Sequence, residues 1–125
     1  MSTPSIDFEN AIPVVGAPDV AAAMSYYVDA LGFKIDWGGE PGGHVGSVSR
    51  DRSTIMFTSA ATPSLATIWI GVSDVAALHD QLVAKGVTIV TPPRNRHWAL
   101  EMYALDLNGH TLWFGSGPLE DQPFA

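Results

Sequence analysis

The chain repeats itself. Ala17-Pro18-Asp19-Val20-Ala21-Ala22 returns as Val72-Ser73-Asp74-Val75-Ala76-Ala77, and Ser53-Thr54-Ile55-Met56-Phe57-Thr58-Ser59 returns as His110-Thr111-Leu112-Trp113-Phe114-Gly115-Ser116. Chance explains either match alone, since short apolar strings are common. Two matches in the same order and at nearly the same spacing point to a duplicated module. Equivalent residues of a duplicated module occupy equivalent places, so each half constrains the reading of the other.

Residues 10–15 are apolar and β-rich and read as a first strand. Asp19 follows as a helix N-cap, its carboxylate accepting from free amides of the first turn. Val20, Met24, Tyr27 and Leu31 then form one stripe at helical spacing. Gly32 stands where a left-handed cap residue is wanted. Residues 33–37, 44–49 and 54–59 read as three further strands, with the glycine-rich stretch 38–43 and Asp51-Arg52 connecting them. No Lys-Ser/Thr pair or helix start follows the glycines, so they do not read as a phosphate cradle.

After a short linker at 60–64 the plan repeats. Residues 67–72 read as a strand, and Asp74 caps a helix carrying Val75, Leu78 and Leu82, which Gly86 ends. A strand at 87–90, a loop at 91–97 and strands at 98–105 and 111–114 complete the half, the last two joined by an Asn108-Gly109 hairpin signal. The expected architecture is one α+β domain over residues 1–125. It holds two βαβββ repeats, about 9–60 and 66–116, curled as mixed sheets around a cleft, with a loose acidic tail at 117–125.

Composition narrows the function classes. Hydrophobic residues make up 46% and charged residues 15% of the 125, a globular balance. The net charge is −7 with only six Lys and Arg, scattered along the chain, so phosphate-backbone binding is not expected. An acidic surface favours a cationic small molecule. There are no cysteines, which removes disulfides, thiolate metal sites and cysteine nucleophiles. No apolar run approaches a membrane span, and the N-terminus has no signal-peptide pattern, so a cytoplasmic location is expected.

These residues resemble a known family. The opening Ala11-Ile12-Pro13-Val14-Val15, then Asp19-Val20-Ala21-Ala22, Tyr26-Tyr27 and Leu31-Gly32-Phe33, is similar to the start of the vicinal oxygen chelate (glyoxalase/bleomycin resistance/dioxygenase) superfamily. The closing Glu101-Met-Tyr-Ala-Leu-Asp106-Leu-Asn-Gly109, with Trp98 upstream, resembles the E-(x4)-D-P-x-G-N ending of its bleomycin-resistance-like branch. The likeness spans roughly residues 9–116. Leu107 replaces the usual proline, and His110 the usual asparagine.

The resemblance implies a site. Enzymes of the superfamily hold one divalent metal with four strand residues, two per half. By spacing from the capped helices and the last hairpin, those positions fall on Ile12, Met56, Thr67 and Trp113. Ile and Trp offer no ligating atom, Met a soft thioether and Thr a weak hydroxyl, so no metal and no cofactor is expected. The immediate neighbours are no better. The resemblance then implies bleomycin-resistance-like sequestration of a small aromatic or cationic compound in a hydrophobic cleft, by a homodimer.

Among the remaining groups, Trp37, Trp69, Trp98 and Trp113 would form aromatic walls for a planar or cationic ligand. Met56, Thr67, His44 and Glu101 join them as candidate contacts. His79, His97 and His110 read as surface histidines. If they share a strand, His97 and Glu101 lie roughly 13 Å apart, too far to clasp one metal. Glu101 is the one carboxylate to watch, as a receptor for a cationic group, as a base, or as a structural partner of Arg94 or Arg96. No Ser-His-Asp order or dinucleotide fingerprint is present. Two rivals stand beside sequestration. One is a metal-dependent lyase or dioxygenase using displaced ligands such as His44 and Glu101; the other is a metal-free isomerase with Glu101 as base.

Overall fold

The structure, a computed structural model, describes residues 3–125. Ten elements follow in the order β1 (Val14–Ala17), α1 (Val20–Leu31), β2 (Lys34–Gly38), β3 (Val45–Arg50), β4 (Ser53–Ser59), β5 (Thr67–Gly71), α2 (Val75–Ala84), β6 (Ile89–Asn95), β7 (Leu100–Leu105) and β8 (Thr111–Ser116). They form two four-stranded mixed sheets of identical plan, β1-β4-β3-β2 and β5-β8-β7-β6. In each sheet the first strand runs parallel to the last and the other pairs are antiparallel. The fold is the α+β pair of βαβββ repeats expected from the duplication.

Local chemistry sets the helices. Asp19 Oδ1 accepts from the Ala22 amide at 3.0 Å and Asp74 Oδ1 from the Ala77 amide at 3.0 Å, so the same cap opens both. Gly32 at φ 73° ends α1, and Gly86 at φ 75° follows Lys85 at the end of α2. Each helix covers one face of its own sheet. From α1, Val20, Ala23, Met24, Tyr27 and Leu31 are buried; from α2, Val75 and Leu82. Each large apolar side chain buried this way contributes about 1.5–3 kcal/mol. Residues of both repeats join one buried cluster. Among the described residues, no helix is long and apolar enough to cross a membrane.

Several boundaries differ from the sequence reading. Pairing in the first strand begins at Val14, because Pro13 has no N–H to give; its carbonyl accepts from Met56 N at 3.0 Å. Conversely, the expected loop at 91–97 is largely strand, since β6 runs to Asn95 through Pro92 and Pro93. That strand lies at the sheet edge and carries two register shifts, where missing amides cost little. In the last hairpin only Gly109 takes positive φ, at 87°. Asp106 builds the turn, its Oδ1 accepting from the amides of Asn108 at 2.9 Å and His110 at 3.0 Å.

Two further expectations fail. His110 is fully buried rather than solvated. The tail at 117–125 is tied down rather than loose: Asn95 Nδ2 donates to Leu119 O at 2.8 Å, and Asn95 Oδ1 accepts from Leu119 N at 2.8 Å.

Candidate functional site: an aromatic face around a buried carboxylate

Strand alternation places Ile55 and Phe57, and equivalently Leu112 and Phe114, towards the helices. Their neighbours Met56 and Trp113 therefore point to the opposite faces. Register then assembles one row across each sheet. Val14 pairs with Met56, Met56 with Ser47 and Ser47 with Trp37. In the second repeat Trp69 pairs with Trp113, Trp113 with Tyr103 and Tyr103 with Thr91. The duplication thus produces two equivalent rows, one mainly aliphatic with a terminal tryptophan and one aromatic.

The aromatic row is well packed. Trp69 meets Trp113 edge-on at 4.9 Å between centroids, and Tyr103 stacks on Trp113 at 5.4 Å and 26°. Trp69 can lie there because Gly115 has no side chain; a Cβ at that position would collide with the far edge of the indole. Half of Trp69 stays exposed (50%), as does most of Trp98 (65%). The row therefore offers ring surface to solvent and has its own backing.

Glu101 lies two residues before Tyr103 on β7 and is 5% exposed. A buried carboxylate needs partners, and Glu101 has them. Its Oε2 accepts from the indole N–H of Trp113 at 3.0 Å and of Trp98 at 3.2 Å. Its Oε1 faces Arg96 Nε at 3.7 Å, and that guanidinium lies 5.8 Å over the Trp98 ring. One carboxylate therefore sets the orientation of two tryptophans. Of the two arginines, Arg96 is the cation at the Glu101 carboxylate; Arg94 pairs with it only in strand register.

The structure brings Trp69, Trp98, Glu101 and Trp113 together, with Thr67 on the same strand face as Trp69. Trp37 and Met56 belong to the other row. There Asp36 accepts from Ser49 at 2.8 Å and Lys34 at 3.2 Å, and the Ser49 hydrogen bond foremost holds its carboxyl below the ordinary value. His44 joins neither row. It sits near the start of α1, its Nδ1 3.1 Å from Ser59 Oγ. His97 is not on one strand with Glu101, because a turn closed by Arg96 N to Ala99 O at 2.8 Å lies between them. Tyr103, Arg96 and Gly115 complete the site. The first and last were missed, although Tyr103 shares Glu101's strand parity and Gly115 that of Trp113.

A crevice of about 410 Å³ opens between the two repeats, lined by Leu31, Phe33, Arg50, Ile70, Gln81 and Phe114 among others. It lies on the helix side and contains none of the expected contact residues. The aromatic row therefore lies outside this crevice, with half of Trp69 open to solvent.

The superfamily's metal positions do not fit an ion here. Trp113 turns an N–H, not a lone pair, towards its neighbour Glu101. Ile12 is aliphatic, and among the described residues no group of three or more His, Cys, Asp or Glu is placed to hold a metal.

Comparison with known proteins agrees with the fold. Solved structures that match include a bleomycin-binding protein from bleomycin-producing Streptomyces verticillus complexed with copper(II)-bleomycin, at 28% identity and TM-score 0.74, covering 90% of this chain and 99% of that one. TioX from Micromonospora sp. ML1 matches at 19% identity and TM-score 0.77, covering 87% and 98%. A bleomycin resistance determinant encoded on the transposon Tn5 matches at 18% identity and TM-score 0.76, covering 90% and 100%. No curated protein matches. The family model for the Glyoxalase/Bleomycin resistance protein/Dioxygenase superfamily matches residues 12–114, and with that span of the repeat accounted for, the chain belongs to this superfamily.

Proposed function

We propose that the protein binds a small aromatic or cationic compound on the Trp69–Trp113–Tyr103 face without a metal, and holds it without turnover in the manner of bleomycin-resistance proteins. The observation that carries this reading is the aromatic row, with Trp69 half exposed, built around an anchored carboxylate where the resemblance places one of the superfamily's metal positions, Trp113. Stacked indole and phenol rings present a π surface to a flat or positively charged ligand. The net charge of −7 attracts a cation over longer range. As a base, Glu101 is poorly placed, because Oε2 is occupied by two indole donors and Oε1 faces an arginine. The binding unit is a homodimer, and the protein acts in the cytoplasm.

Intrinsic tryptophan fluorescence titrated with copper(II)-bleomycin, metal-free bleomycin and a small panel of aromatic cations tests the reading. Saturable quenching is expected, with the ligand recovered unchanged by mass. Trp69→Ala should weaken binding about tenfold, the worth of one lost stacking contact. A divalent ion retained stoichiometrically through dialysis, or a ligand converted to product, would overturn it.

A further inference from the structure

The tail after β8 adds little to the core: Leu119 and Phe124 keep 41% and 42% of their surface exposed. Apolar burial is therefore only part of what holds it, chiefly through Phe124 on the His97 ring. Its polar contacts converge on Asn95 and Arg96, which immediately precede the aromatic site. The Asn95 amide is fully engaged. Its Oδ1 accepts from Leu119 N at 2.8 Å, and its Nδ2 donates to the carbonyls of Leu119 at 2.8 Å and of Gln122 and Pro123 at 3.3 Å each. The Ala125 amide donates to Asn95 O at 2.6 Å. Arg96 Nη1 donates to Ala125 O at 3.0 Å, and the Phe124 ring lies 4.2 Å from that of His97.

The other side of the same guanidinium belongs to the site. Arg96 lies over the Trp98 ring, and its Nε is buried without a hydrogen-bond partner, 3.7 Å from Glu101 Oε1. A free arginine beside a buried carboxylate would close to a charge-assisted hydrogen bond of about 2.8 Å. Here the short contact is the one to the Ala125 oxygen, and the contact to Glu101 is the long one. The tail holds the guanidinium where it covers Trp98 and flanks Glu101, and Glu101 in turn orients the Trp98 and Trp113 indoles.

We propose that residues 118–125 form a strap that sets the geometry of the aromatic site, with Asn95 the positioning residue that fastens it and Arg96 the link to Trp98 and Glu101. The role as a binding site rests on the function proposed above, but the mechanical coupling does not. Releasing the strap lets Arg96 close on Glu101 Oε1, which draws the guanidinium off the Trp98 ring and shifts the carboxylate to which the Trp98 indole N–H is bonded.

Asn95→Ala and Phe124→Ala in the full-length chain, each labelled with 15N, test the proposal. The indole N–H signals are assigned with Trp98→Phe and Trp113→Phe. In both strap variants the Trp98 indole N–H should exchange with solvent about tenfold faster and shift in position, as expected for local opening. The backbone amides of Met102 and Leu112 and the urea midpoint should stay as in the parent, which a merely structural loss would move. Copper(II)-bleomycin should bind the variants several-fold more weakly. Unchanged Trp98 and Trp113 indole signals in both variants would overturn the strap. If Asn95→Ala unfolds, Phe124→Ala decides alone, since that side chain belongs to the strap and packs on the His97 ring. Failure of the parent to bind copper(II)-bleomycin would count against that ligand and leave the indole measurements to judge the coupling.

Discussion

Tyr27 and His110 join the two repeats through buried hydrogen bonds. The Tyr27 hydroxyl donates to Asp106 Oδ2 at 2.8 Å, across from α1 to the last hairpin. His110 Nε2–H donates to Gly16 O at 2.8 Å, and its Nδ1 accepts from the Ala66 amide at 3.0 Å. The carbonyl and the amide together dictate the tautomer, since one ring nitrogen must donate and the other accept. Burial foremost, then the negative charge of Asp106, pushes the Tyr27 phenol well above its ordinary 10.0. Up to pH 10 folded and unfolded chains both keep this proton. Above it the unfolded chain releases its proton while the folded chain retains it, so stability falls as pH rises, by about 1.4 kcal/mol per unit for this one group. Tyr27→Phe should cost about 1.5–3 kcal/mol at pH 7, the value of a buried hydrogen bond to a charged group. It should also lower the alkaline slope by one proton. Urea denaturation from pH 7 to 11 checks both. An unchanged slope would mean that Tyr27 ionises in the fold much as it does outside it.

At the scale of elements, the second repeat differs from the first at one ladder. β5 and β8 hold Trp69 and Trp113 in register, where β1 and β4 hold Val14 and Met56. Gly115 makes the larger pair possible. Gly115→Ala should expel Trp69 from its seat, because the added methyl collides with the far edge of its indole, a rigid ring that can clear the methyl only by swinging away as a whole. The expected outcome is loss of the Trp69–Trp113 exciton signal in near-ultraviolet circular dichroism and about tenfold weaker ligand binding. The β8 strand itself should persist, since Gly115 lies in ordinary extended backbone. Sequence patterning reached the elements because caps and periodicity are local: Asp19, Asp74, Gly32 and Gly86 announce both helices. It reached Trp69, Trp113 and Glu101 through the repeat and the resemblance. It did not reach what depends on distant partners. His110 looks like a turn residue until Gly16 and Ala66 are brought to it. Tyr103 looks like one more strand aromatic until register sets it on Trp113. The tail looks like free polar chain until Asn95 is seen to use every hydrogen-bonding group on its amide.

For the molecule as a whole, the duplication leaves two faces unfilled. Each helix covers one side of its sheet; on the other side Val14, Trp37 and Val45 of the first repeat and Trp69 of the second remain about half exposed, and Trp98 more so. Ahead of β1, Ile6 and Phe8 are 77% and 96% exposed. Single exposed apolar residues are ordinary, but a row of them on a flat sheet face is a surface that gains by being covered. A second copy supplies matching area twice over, because a two-fold pair repeats every contact. A specific interface buries more than about 1,000 Å² in total, so a pairing of this kind has to cover both rows together. Charge works against this pairing, since each copy carries −7. Association should therefore tighten between 0.05 and 0.5 M salt as repulsion is screened over about 10 Å or less. Val14→Glu and Val45→Glu add charge where the side chain is already exposed and should leave the monomer folded. Sedimentation equilibrium is expected to show a dimer for the parent and monomers for both variants, with ligand affinity falling in step. A parent chain that stays monomeric at high salt and at tens of micromolar would leave the aromatic face to bind its ligand unaided.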